Sequence, residues 1–66
     1  MSHGQLLKTD VDFKNAILFQ IVISITQDGE HIESGVILSQ SHHCIETANA
    51  YYFKDACEFK VFSMVH

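Results

Sequence analysis

Three short stretches hold the side chains best equipped for chemistry. Ser41-His42-His43-Cys44 sets two imidazoles beside a thiol, with His31 and Cys57 elsewhere. Lys54-Asp55 sets an ammonium beside a carboxylate, and Tyr51-Tyr52-Phe53 is a run of three rings. Imidazoles and thiols are metal ligands, but structural zinc takes four of them at paired spacings such as Cys-x-x-Cys. Adjacent residues on a strand point to opposite faces, which separates His43 from Cys44. No metal centre is therefore expected from His31, His42, His43, Cys44 and Cys57. Nor is a Cys44–Cys57 disulfide, because both cysteines read as small core residues. Nucleophilic catalysis needs a base and an orienting group beside the thiol. General acid–base work needs paired carboxylates at a defined spacing. Neither pattern is present, so no enzyme activity and no cofactor are expected.

These stretches must be positioned by the elements around them. Thr9 or Asp10 is placed to cap a short helix over residues 10–16, with Asp10 and Asp12 at its positive end. From Ile17 the apolar period is two: Ile17, Phe19, Ile21, Ile23 and Ile25 alternate with Leu18, Gln20, Val22, Ser24 and Thr26, and the β-branched content favours strand. Asp28-Gly29 is a strong hairpin signal. The return strand carries Gly35 in its middle, where a bulge, a sharp bend or a close backbone approach is expected. Ser41-His42-His43 turns the chain, and Asn49-Ala50 turns it again. Residues 54–57 break the alternation, and the last strand is apolar on both faces, as strands buried on both sides are. The reading is one mainly β domain over residues 1–66: a helix, then five strongly bent antiparallel strands at 17–27, 30–40, 43–48, 51–53 and 58–64, forming a small barrel.

Size and charge bound what such a barrel does. A chain of 66 residues buries only about 60% of the surface it exposes when unfolded. Small domains of this kind gain support from disulfides, metals or oligomerisation. The 47% apolar content points to a homo-oligomer. Four lysines, no arginine and eight carboxylates give a net charge of −4, so a broad electrostatic footprint on duplex DNA is not expected. The longest apolar run is far short of the roughly 20 residues that span a bilayer, and no secretory signal is evident. A cytoplasmic protein with reduced thiols, away from membranes, is expected.

The pattern Ile21-x-Ile23-x-Ile25, Asp28-Gly29, Ile32-x-x-Gly35-x-Ile37 resembles the first motif of the Sm-like family. Tyr52-Phe53-Lys54-Asp55-Ala56 resembles the second motif of that family's bacterial Hfq branch, and Gly4-Gln5 with Phe13-x-Asn15-Ala16 resembles its start. The resemblance implies an Sm-like barrel, for which an SH3-type barrel is the alternative. It further implies a ring of five to seven subunits whose last two strands pair edge to edge. Tyr51, Tyr52, Phe53, Phe59, Val61 and Phe62 would lie at the subunit interface. Single-stranded RNA would bind near the pore through Gln5, His42, His43, Lys54 and Asp55. In such sites planar side chains stack on bases and a few cations meet phosphates. The chain departs from the family's Tyr-Lys-His at Phe53-Lys54-Asp55, which puts a negative charge where a donor stands, and it lacks the arginine-rich stretch after the helix. The acidic balance supports an alternative on the same barrel: a module that binds a basic protein partner, such as a nucleic-acid-binding protein that it inhibits, without binding RNA itself.

Overall fold

The computed structural model describes residues 3–63. A nine-residue helix, α1 (Asp10–Leu18), opens the fold. Six strands follow: β1 (Val22–Gln27), β2 (Glu30–Gly35), β3 (Ser39–Gln40), β4 (Cys44–Glu46), β5 (Tyr51–Phe53) and β6 (Glu58–Ser63). They form two three-stranded antiparallel sheets, ordered β2-β1-β6 and β3-β4-β5.

The helix begins at a reciprocal cap. The Thr9 hydroxyl accepts from the Asp12 N–H, and the Asp12 carboxylate accepts from the Thr9 N–H. This satisfies two otherwise orphaned groups. It ends two residues later than the period suggests, and the strand expected from Ile17 starts only at Val22. The cause lies in the backbone between them. Gln20 adopts φ 52°, its N–H bonds the Ile17 carbonyl, and the Ile21 N–H bonds the Ala16 carbonyl. Those are the two bonds of a Schellman stop, with Gln20 in the left-handed position that glycine usually fills. Ile17 and Ile21 still pack against the core, one from the helix and one from the stop. A period-two reading could not tell them from strand residues.

The Asp28-Gly29 hairpin is present. Both residues have positive φ, 54° and 79°, as a type I′ turn requires. The bulge lies opposite the Ile25–Thr26 step rather than at Gly35: Ile25 pairs with Glu33 and Thr26 with His31, so Ile32 is the extra residue. Gly35 instead closes the β1–β2 ladder opposite Ile23. Beyond it the chain leaves the first sheet and enters the second at Ser39. The strand expected over 30–40 is therefore two strands, which makes six rather than five. The ladders form two separate sheets and do not close into a barrel. Strand 43–48 is shortened to Cys44–Glu46, because Thr47 already belongs to the next turn, where its N–H bonds the Ala50 carbonyl. Tyr51–Phe53 is a strand as expected. Met64, expected at the end of the last strand, lies outside the described residues.

The core lies between the sheets and under the helix. Ile23, Ile25, Phe59 and Val61 face it from the first sheet, Ile45 from the second, Ile37 from the crossover, and Leu7, Phe13 and Ala16 from the N-terminal part. Phe13 meets Phe59 edge to face at 5.3 Å, a favoured aromatic geometry. Residues 4–7 run antiparallel along the outer edge of β6, with a bridge between Leu6 and Lys60. No helix among the described residues is long and apolar enough to cross a membrane.

Candidate functional site

A cleft of about 510 Å³ opens where the helix start, the β3–β4 turn and the β5–β6 turn meet. Its lining includes His42, His43, Lys54 and Asp55, so four of the five residues assigned to a site from the sequence come together. The fifth, Gln5, is exposed one residue before the cleft wall at Leu6. Its carbonyl accepts from the Val61 N–H at 2.9 Å.

Each side chain is held by its local fold. The β3–β4 turn is pinned by Ser41, whose N–H donates to the Cys44 carbonyl at 2.8 Å and whose hydroxyl accepts from the Cys44 N–H at 3.2 Å. That turn presents His42 and His43 exposed, with their rings edge to face at 4.4 Å. The His43 carbonyl accepts from the Lys54 N–H at 2.7 Å, which carries the β4–β5 pairing one residue past the strand and fixes Lys54 beside the imidazoles. Phe53 and His43 also wall an apolar hollow with Asp55 and Ala56. His43 thus stands between a polar cleft and an apolar one.

Lys54 is the most constrained member. Its ammonium lies 2.7 Å from Gln40 Oε1 and 3.3 Å from Asp10 Oδ1. It also stands 4.7 Å from the centre of the Phe13 ring, a cation–π contact. Its side chain is only 12% exposed, whereas that of Asp10 is 74% exposed. Lys54 therefore ties the helix start to the second sheet. The cleft holds two ammonium groups, Lys8 and Lys54, and three carboxylates, Asp10, Asp55 and Glu58. Asp10, Gln40, Phe13 and Glu58 were not assigned to a site from the sequence. Asp10 stood out only as a helix-start acid, and its partner is 44 positions away, beyond any local signal.

A second polar cluster joins the two sheets. The Glu33 carboxylate on β2 accepts from the hydroxyls of Thr47 and Tyr52 and from the Asn49 amide. These bonds, the one from Tyr52 foremost, hold the Glu33 carboxyl below its ordinary range. The same contact pushes the Tyr52 phenol up to about 12. Burial raises the Cys57 thiol, which makes it less of a nucleophile. Both cysteines are free thiols. Among the described residues no group of three or more His, Cys, Asp or Glu side chains is placed to hold a metal ion.

The residues assigned to a subunit interface divide. Phe59 and Val61 are buried in the chain's own core, and Tyr52 is engaged with Glu33. Tyr51, Phe53 and Phe62 are exposed, Tyr51 at 73% and Phe53 at 64%.

Over the described residues the fold is small and mainly β, with one helix and two antiparallel sheets. No protein-family profile matches the chain, and neither the characterised proteins nor the solved structures hold a match.

Proposed function

We propose that the chain is an Sm-like module of the cytoplasm that assembles into a ring and binds single-stranded RNA at the cleft. The observation that carries this reading is the convergence of His42, His43, Lys54 and Asp55 on one cleft. The order of elements supports it. A helix leads to a strand, a tight Asp-Gly turn, a second strand that ends at Gly35, a crossover into the other sheet, three short strands, and a last strand that returns to β1. With the bent second strand of the Sm-like resemblance divided into β2 and β3, the succession of elements is the one that resemblance implies. Exposed Val11, Leu18, Phe19, Tyr51, Phe53 and Phe62 give a chain of this size more uncovered apolar surface than a monomer needs, as surfaces that associate do. In the cleft, the paired imidazoles offer planes for bases, and Phe53 offers another in the adjoining apolar hollow. Lys8 and Lys54 offer the cations for phosphate.

The test is a fluorescence-anisotropy titration of labelled oligouridine and oligoadenine at two salt concentrations. Binding is expected to weaken as salt rises. Lys54→Ala is expected to bind about tenfold more weakly, a loss of roughly 1.4 kcal/mol. Unchanged binding by that variant would remove the cleft assignment.

A second reading draws on a different observation, the pairing of Lys54 with Asp10 in a cleft where carboxylates outnumber ammonium groups. An acidic cleft of this kind suits a basic protein segment. That reading requires no RNA binding at physiological salt.

A further inference from the structure

The outer edge of β6 is occupied by the chain itself. The Gly4 N–H donates to the Val61 carbonyl at 2.7 Å, the Val61 N–H to the Gln5 carbonyl at 2.9 Å, and the Leu7 N–H to the Phe59 carbonyl at 2.8 Å. The segment is anchored at one end by Leu7, which is buried in the core. At the other end the His3 ring lies 6.2 Å from that of Phe62. Gly4 sits at φ 82°, a conformation only glycine adopts freely.

The outer edge of β5 is turned the other way. Ile45 pairs with Tyr52, and the flanking bonds run from Lys54 to His43 and from Thr47 to Ala50. Alternation along an antiparallel pair then directs the main-chain groups of Tyr51 and Phe53 away from β4. The Phe53 carbonyl accepts from the Ala56 N–H at 3.2 Å, so the outward groups offered to a partner strand are the N–H and carbonyl of Tyr51 and the N–H of Phe53. Such an edge is a template for another strand. Its two outward residues match in number the two that Gly4–Leu7 covers on β6, Phe59 and Val61.

We infer that Gly4–Leu7 is a built-in guard of the β6 edge, and that the β5 edge of a second copy takes its place when the protein self-assembles. The inference rests on the proposed ring, because ring closure through the last two strands needs the edge that the segment covers. Assembly is then a strand exchange: three main-chain bonds within the chain are given up and remade between chains. The N-terminal segment sets the concentration at which this occurs.

Gly4→Pro in the full-length chain tests it. Proline cannot adopt φ 82° and has no N–H to donate. The change falls at an exposed residue outside the core, and far-UV circular dichroism checks that the fold is kept. Light scattering across a concentration series is expected to show half-assembly at a concentration at least about tenfold lower than for the parent. Tyr51→Pro, which removes an outward N–H from β5, is expected to abolish that gain when added to Gly4→Pro. A Gly4→Pro protein that assembles no more readily than the parent overturns the inference. So does a gain that survives Tyr51→Pro. If the parent already forms a five-to-seven-subunit species and Gly4→Pro leaves its midpoint unchanged, the guard is wrong and the ring stands. If neither protein exceeds a monomer, both fail.

Discussion

Glu33 is the residue on which the junction between the sheets depends. It stands opposite Ile25 on the core-facing side of β2, where an unpartnered carboxylate would be costly. Donors from Thr47, Asn49 and Tyr52 offset that cost. Because Glu33 is held below its ordinary value of 4.5, its contribution is complete above that value and is lost as pH falls through the lowered one. Asp12 acts in the same direction, through the N–H groups of Lys8 and Thr9. Tyr52 is raised from 10.0 to about 12, so its contribution is complete below 10 and is lost as pH climbs toward 12. Urea unfolding of Tyr52→Phe is expected to show a loss of about 1–2 kcal/mol at neutral pH, the range for a hydrogen bond to a charged group that is partly solvated. The alkaline decline of the parent between pH 10 and 12 should be absent from that variant. An undiminished decline would place the titrating group elsewhere. None of this cluster was legible in the sequence, because Glu33 and Tyr52 are 19 positions apart and each reads alone as an ordinary strand residue.

At the scale of elements, the hairpin and the helix start were legible because their signals are local. Asp28-Gly29 demands positive φ whatever surrounds it, and Thr9 or Asp10 before a short apolar period marks a cap, which Thr9 forms with Asp12. The helix end was not legible, because its left-handed residue is Gln20 rather than glycine. The bulge at Ile32 was not legible either, because it is set by the register with β1 and leaves no special residue type behind. These local features make two calibrated tests. Gln20→Gly relieves a side chain held at φ 52° and is expected to raise stability by about 0.5–1 kcal/mol. Gly29→Ala is expected to lower it by about 1 kcal/mol. A Cβ at Gly29 would have nothing within 4 Å, so that loss reports backbone strain alone. Thermal or urea unfolding reads both, and an unstable Gln20→Gly would mean that the glutamine makes a contact worth more than the strain.

For the whole molecule, the decisive feature is how its sheet edges are managed. The apolar composition pointed to self-association, and the rings of Tyr51, Phe53 and Phe62 are exposed. The burial of Phe59 and Val61 and the covering of their edge by residues 4–7 do not follow from any sequence pattern, since the pairing spans more than fifty positions. The candidate site was legible in part. The order of motifs led to His42, His43, Lys54 and Asp55, but not to the Asp10 and Gln40 that hold Lys54. If Lys54 both braces the helix start and meets phosphate, Lys54→Ala should lose stability as well as RNA affinity. A drop of about 0.5–1 kcal/mol in urea unfolding is expected from the ion pair and the ring contact. The measurement that tests the central proposal most directly is the solution mass of the unmodified protein, by light scattering during size exclusion over a concentration series at two salt concentrations. A species of five to seven times the 7.5 kDa monomer, growing with concentration at the expense of free chains, is the predicted result. A monomer at every concentration would contradict the ring and, with it, a pore-side role for His42, His43 and Lys54.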